Sequence, residues 1–492
     1  VASSLSPPEG PAFDAEPFRT LLPARLDRLP WSRFHWLVVI ALGITWVLDG
    51  LEVTLTGAMS GILQEPETLG FTSPELGIIA SFYLTGAVLG SLVFGYLTDR
   101  YGRKVFFFVT LAVYLSGAFL TAFSWDLLSF TIFRFITGTG IGGEYAAINS
   151  AIDELIPARV RGRVNLIING SFWVGAALGS VSAIGFLDPR LFPVELGWRI
   201  AFGTGALLGL IILFVRRHVP ESPRWLCTHG RREEAEGVVA RVEAEIEGAT
   251  GRKLPTPTEY LTLYPRRTFG FGSVARTMFT HYRTRSVVGL SLVISQAFLY
   301  NAIFFTYALV LTRFYHVPAT ATGQFLLPLA IGNFMGPLVL GRFFDTIGRR
   351  QMIAGTYTIS GLLLALTGYL FSLSSLSPEG QTALWTAIFF FASAAASSAY
   401  LTVSEVFPLE TRAMAIAFFY SVGTAAGGVA APWLFGTLIG TGSRIHVFYG
   451  YIAGALLMIG AAAIEAIYGV KAEMQSLEKV AAPLSAEARE GR

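Results

Sequence analysis

Apolar residues gather along the chain into twelve runs, near 34–60, 76–98, 105–125, 127–152, 164–187, 197–215, 286–311, 320–341, 351–373, 383–404, 413–438 and 446–468. Each reaches roughly the 20 residues that a helix needs to cross a bilayer core. Polar residues fall between the runs, and one long polar insert, 216–284, separates six runs from six. Within it "GRREEAEGVVARVEAEIEG", residues 230–248, repeats apolar positions at helical spacing and predicts an amphipathic helix on a solvated surface. The first thirty residues are polar and contain proline, and the run after them is too long for the core of a cleaved leader, so it reads as a retained first span. The division expected is a cytoplasmic tail over 1–33, a six-helix bundle over 34–215, a cytoplasmic loop over 216–284, a second bundle over 285–468 and a cytoplasmic tail over 469–492.

Composition agrees with a bilayer as solvent. Of 492 residues 53% are hydrophobic and 14% charged, against roughly 25% charged in a soluble domain. The fold class expected is therefore an all-α membrane protein of twelve transmembrane helices in two six-helix pseudo-repeats. The net charge of +3 would suggest nucleic acid in a soluble chain, but positive membrane flanks account for it here. With the N-terminus inside, Arg190, Arg199, Arg313 and Arg444 lie outside, Arg134 lies within a span, and the other 31 of the 36 Lys and Arg are cytoplasmic. Both termini are expected in the cytoplasm of a multi-pass protein of the cell membrane. The single cysteine, Cys227, excludes an internal disulfide and a Cys-rich metal site.

Two short motifs recur in order. "GYLTDRYGRK", residues 95–104, follows the second run and "GRFFDTIGRR", residues 341–350, follows the eighth, so that Gly95, Asp99, Gly102 and Arg103 recur 246 positions later as Gly341, Asp345, Gly348 and Arg349. "DELIPARVRGR" follows the fourth run and "SEVFPLETRAM" the tenth, with Glu154, Pro157 and Arg161 recurring 251 positions later as Glu405, Pro408 and Arg412. The halves are parallel structural repeats, an architecture of secondary transporters.

Charge in the middle of the spans is confined to the first half. Asp49 and Glu52 stand in the first run, Arg134 and Glu144 in the fourth. An ionised side chain at bilayer depth costs about 2.5 to 3.5 kcal/mol on insertion scales, so such residues pair or face water. The helical rise gives Glu52 and Arg134 comparable depths, which makes a pair feasible. Such a pair serves either as a proton switch, if a cavity alternately hydrates and occludes the carboxylate, or as a bridge that only holds two spans together. Asp49 shares a face with Glu52 and is the other candidate for the proton. Glu144 is too deep to meet Glu52 and lines the inner cavity or anchors a neighbouring span. The "GTGIGG" before it is a close-packing surface for another helix. The second half offers neutral groups instead: Gln296, Asn301 and Tyr307 in "SQAFLYNAIFFTY", with Asn333 and Tyr400, and Asn169 in the first half. Amides donate and accept together and suit a polyol or a carboxamide, or else act as glue between helices.

Over its whole length the sequence resembles the major facilitator superfamily, in the branch that holds sugar porters and the organic-ion and synaptic-vesicle-glycoprotein relatives. "GYLTDRYGRK" matches that family's signature between spans 2 and 3, "RFITGTGIGGE" resembles its span-4 motif and "PESPRWL", residues 220–226, matches the motif after span 6. The resemblance implies the major facilitator fold, and it puts Glu52 where proton-coupled members carry an acid, with Arg134 on their span-4 Arg. Gln296 and Asn301 fall on the sugar-porter span-7 amides, while Tyr300 replaces a Gly and Tyr400 stands at a Trp position. It also implies a cytoplasmic latch made by Gly95, Asp99, Arg100, Gly102, Arg103, Lys104, Glu154 and Arg161 with Gly341, Asp345, Gly348, Arg349, Glu405 and Arg412.

No phosphate-loop or hydrolase motif is present, so an ATP-driven pump and an enzyme are not expected. The reading is a secondary active transporter that moves a small polar organic solute by alternating access, as a proton symporter. A uniporter, an antiporter and a transporter-like sensor are the alternatives. The expected partners are a small-molecule substrate, protons and the lipid bilayer, with no cofactor, no metal and no nucleic acid, and the chain is expected to act as a monomer. Proton coupling is assigned to Glu52, Asp49 and Arg134, and substrate contact to Glu144, Asn169, Gln296, Asn301, Tyr307, Asn333 and Tyr400.

Overall fold

The computed structural model describes residues 18–59, 62–186, 188, 190–217, 219–257, 259–263, 275–304, 306–317 and 324–484. Most of the expected 1–33 tail, residues 264–274 of the expected loop, residues 485–492 of the final tail and a few positions in the runs 34–60, 164–187, 286–311 and 320–341 lie outside the described residues.

The first half is built from α2 (Arg33–Met59), α3 (Ser73–Tyr101), α4 (Arg103–Thr121), α5 (Leu127–Leu155), α6 (Arg161–Gly170), α7 (Phe172–Phe186) and α8 (Val194–Arg216), preceded by the short α1 (Leu22–Asp27). The inter-bundle segment folds into α9 (Pro223–Thr228) and α10 (Arg232–Thr250). The second half comprises α11 (Arg283–Phe304), α12 (Tyr307–Tyr315), α13 (Leu326–Thr346), α14 (Arg349–Ser372), α15 (Pro378–Val406), α16 (Arg412–Gly423), a π turn over Thr424–Val429, α17 (Ala430–Gly440) and α18 (Arg444–Tyr468), with α19 (Leu477–Val480) at its end. Ten helical stretches among the described residues are long and apolar enough to cross a membrane. The helices α5 and α8, of 29 and 23 residues, have the length as well and pack inside the first bundle. The charged groups of α5, among them Arg134, Glu144 and Glu154, lower its hydropathy.

Local chemistry sets where these helices begin and turn. Asp126 caps α5 reciprocally with Ser129, its carboxylate accepting the Ser129 N–H at 2.8 Å, and Thr72 forms the same kind of box with Glu75 on α3. At the other end, α3 passes into α4 through Gly102 at φ +108° and α13 into α14 through Gly348 at φ +125°. Only glycine takes these angles without strain, which is why both motif copies keep it there.

Between helices the contacts are close. A Cβ on Gly138 or Gly142 would strike the backbone of α3 at Tyr83 and Ala87, and one on Gly140 would strike the backbone of α4 at Tyr114. The glycine run of α5 is thus a double packing face. The two halves meet where α3 and α5 pack on α16, and where α6 and α7 pack on α13 and α15.

The polar segments are more ordered than their composition suggests. Phe18–Thr20 pairs antiparallel with Leu261–Leu263, joining the N-terminal segment to the inter-bundle segment. The amphipathic α10 buries Ala235, Val238, Val239, Val242 and Ile246, and Arg25 of α1 holds Glu243 at 2.6 Å and also bonds Glu236. These contacts gather both flanking segments at the end of the bundle that carries the two Gly-Asp-Arg turns, hereafter the turn end.

Candidate functional site

Polar and aromatic arrangements stand at the seam between the halves and inside the first half, beginning at the turn end. Asp99 accepts the backbone N–H groups of Ala413 at 3.2 Å and Met414 at 2.9 Å, the first turn of α16 in the other half. Asp345 does the same to Gly162 at 3.0 Å and Arg163 at 2.8 Å, the first turn of α6. Each carboxylate thus sits on the positive end of a helix it does not belong to. Arg103 bridges Asp99 at 3.1 Å and Glu154 at 2.8 Å, and Arg349 bridges Asp345 at 2.8 Å and Glu405 at 2.9 Å. Across the seam Arg412 approaches Glu154, and Arg161 approaches Glu405, both at 3.6 Å. Gly95 faces Ala417 and Gly341 faces Arg163, so both let the halves close on each other. The expected network differs in two members. Arg100 is exposed and lies over the ring of Tyr101 at 5.2 Å, and Lys104 reaches only the Arg217 carbonyl at 3.4 Å, because both project outward from the turn rather than into the seam.

Sequence reasoning missed a third pair of repeats here. Glu221 accepts the N–H groups of Arg103 at 3.0 Å and Lys104 at 3.2 Å, and Glu473 accepts the N–H of Arg349 at 3.3 Å. The two glutamates are 252 positions apart, nearly the offset of the other repeats, but the residues around them differ too much to align by eye. Flanking segments complete the cluster: Arg224 of α9 bridges Asp27 at 3.2 Å and Glu478 at 2.8 Å, and Asp27 also takes Arg161 at 3.4 Å.

Deeper in the first half, Glu52 and Arg134 form a buried ion pair. The Arg134 guanidinium lies over the Tyr83 ring at 4.5 Å, and the second oxygen of Glu52 has no hydrogen bond among the described residues. One turn away, Asp49 has no ion pair among the described residues and accepts the Tyr145 hydroxyl at 2.9 Å. Tyr145 in turn stacks on Tyr420 of the other half at 4.6 Å and edges Trp46 at 4.4 Å. Asp49 is thereby tied to a side chain that spans the seam, and Glu52 is not.

Glu144 takes one of its two expected roles, anchoring a neighbouring span, and not the substrate contact assigned to it. It pairs with Arg216 at 2.8 Å, and that guanidinium also donates to the Phe107 carbonyl at 2.8 Å and to Thr45. It anchors α8 to α5, α4 and α2 and does not line the central cavity. Arg216 escaped notice because it stands at the border of the polar segment, where a cation reads as a membrane flank.

The central cavity, of about 170 Å3, is lined by Trp46, Tyr145, Asn169, Phe172, Trp173, Gln296, Tyr300, Ser393, Ala396, Ser397 and Tyr400. It lies against the break between α6 and α7 at Ser171, so that Asn169 and Trp173 flank an interrupted helix. Asn169 donates to the Asn165 side chain at 2.9 Å and to Asn149 at 3.2 Å, which leaves its own carbonyl oxygen buried without a partner among the described residues. Of the expected contacts, Asn169, Gln296 and Tyr400 line the cavity. Asn333 stands one layer behind, accepting the Tyr300 hydroxyl. Asn301 turns back to its own helix, donating to the Ala297 carbonyl at 2.6 Å, and Tyr307, the first residue of the separate helix α12, packs on the apolar core. On the side away from the turn end, Trp173 and Ala176 pack with Ala330 of the other half. Apart from Tyr400, the aromatic lining carried no sequence signal, because an aromatic residue in an apolar run looks like any other.

A family model described as Sugar (and other) transporter matches residues 50–480. The "Niacin transporter NiaP" of Acinetobacter baylyi is 26% identical over 465 residues, spanning 93% of this chain and 99% of that protein. The "Putative metabolite transport protein YdjK" of Escherichia coli is 30% identical over 481 residues, spanning 93% and 97%. Among solved structures, the proton:xylose symporter XylE bound to 6-bromo-6-deoxy-D-glucose superposes with a TM-score of 0.72 at 18% identity, covering 91% of this chain and 98% of that one.

Proposed function

The chain belongs to the sugar (and other) transporter family, a group of membrane transporters rather than enzymes, and on that premise we propose that it carries a small ring-bearing solute together with a proton by alternating access. The observation that carries the substrate class is the cavity between the halves, walled by Trp46, Phe172, Trp173, Tyr300 and Tyr400 and edged by Asn169, Gln296, Ser393 and Ser397. Aromatic walls favour a flat or ring-shaped body. Amides and hydroxyls with no cation among the lining residues favour substituents that are neutral when bound, such as a carboxamide, a hydroxyl or a protonated acid. The relative named as a niacin transporter is consistent with that chemistry.

The turn end faces the cytoplasm, where positive flanks belong, and the two carboxylate-capped seams are its closed gate in the plasma membrane. Proton coupling works through the first half. A proton on Glu52 discharges its pair with Arg134, and the freed guanidinium turns to Asp49, one helical turn away. Asp49 then releases the Tyr145 hydroxyl at the cavity wall, so proton binding is felt where the solute sits. Opening inward requires breaking the bonds of Asp99 and Asp345, each charge-assisted and worth about 1.5 to 3 kcal/mol.

The test is uptake into proteoliposomes with an imposed inward proton gradient, using labelled niacin, nicotinamide and xylose. Accumulation of a ring solute that collapses with a protonophore supports the reading. Failure of all three to accumulate, or accumulation indifferent to the gradient, contradicts it.

A further inference from the structure

Away from the gate and the central cavity, a hollow of about 590 Å3 opens at the turn end between the start of α2, the turn into α4, the end of α8 and the amphipathic α10. Four cations line it: Arg33, Lys104, Arg217 and Arg241. Among the described residues none of the four is in an ion pair. Lys104 donates to the Arg217 carbonyl at 3.4 Å, Arg241 to the Gly237 carbonyl at 3.2 Å, and Arg217 stacks on Phe214 at 3.6 Å. The acids nearby are mostly engaged, Glu234 by Arg231 at 2.5 Å and Glu221 by the N–H groups of the turn, which leaves Glu245 facing the hollow. With Glu234 offset by Arg231, the four cations face two acids, Glu221 and Glu245, so the hollow is net positive at the edge of a membrane-spanning bundle.

Its membrane side is apolar. On α2 the face of Arg33 continues into Trp36 and Ile40, 56% and 54% exposed. Just past the end of α8, Arg217 stacks back on Phe214, and that face of the helix continues to Leu210, the two being 56% and 53% exposed. Side chains three, four or seven apart share one face of a helix, so each track leads from the basin into the hydrocarbon core. A phosphate alone would satisfy the cations but leave the tracks without a role.

We propose that this hollow holds the headgroup of an anionic phospholipid, with its phosphate among Arg33, Arg217 and Arg241 and its acyl chains along Trp36 and Ile40 on one side and Phe214 and Leu210 on the other. Lys104 and Glu221 belong both to this wall and to the Gly102 turn, so the lipid braces the closed cytoplasmic gate from outside the substrate pathway. Each basic residue near an anionic surface adds binding, so three together give a preference for anionic over zwitterionic lipid of roughly tenfold or more.

The experiment compares lipid binding to the purified full-length protein by native mass spectrometry and by thermal shift, using phosphatidylglycerol, phosphatidylcholine and inorganic phosphate. The expected result is at least tenfold tighter binding of phosphatidylglycerol, with a matching rise in Tm, and no effect of inorganic phosphate at the same concentration. The triple variant R33Q/R217Q/R241Q should lose the preference while keeping the Tm of the wild type in phosphatidylcholine. Equal binding of the two lipids, an unchanged preference in the variant, or full reproduction of the shift by inorganic phosphate overturns the proposal. Should the variant fail to fold, crosslinking of the wild type to phosphatidylglycerol with a photoreactive tail decides it. Adducts at Trp36–Ile40 and Leu210–Phe214 support the site, and adducts confined elsewhere refute it.

Discussion

Asp99 of one half accepts the N–H of Met414 of the other at 2.9 Å, and the repeat of that bond, Asp345 to the N–H of Arg163, is 2.8 Å long. The two bonds come from the two copies of the duplicated motif. Each copy supplies a carboxylate to the helix start of the opposite half, so the two seams close together.

Replacing Asp99 by Asn keeps the shape but removes the charge from bonds worth about 1.5 to 3 kcal/mol. The population with this end open should rise about tenfold or more, as read by pulsed electron spin resonance between labels at the exposed Tyr101 and Ile347 in a Cys227→Ala background. Asp345→Asn should act in the same direction. A distance distribution unchanged in both variants would remove the seams from the gate.

Cys227 reports on the same event. It is 2% exposed in α9, and burial pushes its thiol up to about 12, so almost no reactive thiolate is present near neutral pH. N-ethylmaleimide should label the wild type slowly and Asp99→Asn several-fold faster, because opening exposes α9. Equal rates, followed by mass spectrometry, would show that α9 does not move with the gate.

Glu144 and Arg216 predict a stability effect without a substrate effect. Glu144→Gln leaves a buried guanidinium without its counter-charge, which costs about 3 to 5 kcal/mol. Thermal unfolding should fall markedly, while the solute Kd of the folded protein stays within about twofold, and Glu144→Gln/Arg216→Met should recover part of the loss. A large change in Kd at unaltered stability would return Glu144 to the substrate site.

Within the cavity, Trp173→Ala should weaken solute binding by tenfold or more, since it removes a wall that both halves share. Asn301→Ala and Tyr307→Phe should change Kd by less than about twofold, as neither residue lines the cavity. Calorimetric titration of the transported solute separates these outcomes, and a reversed order would relocate the site.

These contrasts also show where sequence reasoning stops. Apolar run length, the recurring Gly-Asp-Arg turns and the cost of charge in a bilayer made the two-bundle fold, the charged partners along the seam and the Glu52–Arg134 encounter legible. Tertiary context alone decides that Glu144 meets Arg216, that Asn301 turns to its own helix and that Tyr145 links Asp49 to Tyr420. Docking of the N-terminal segment through Arg25 and Glu243 was equally hidden, since a short polar stretch looks the same whether solvated or clamped.

The most direct test of proton coupling is Glu52→Gln in proteoliposomes, comparing gradient-driven accumulation with exchange between preloaded vesicles and medium. The account predicts that accumulation is abolished while exchange persists, because the substituted side chain mimics the protonated state and can no longer cycle. Accumulation that still follows the pH gradient in Glu52→Gln would contradict it.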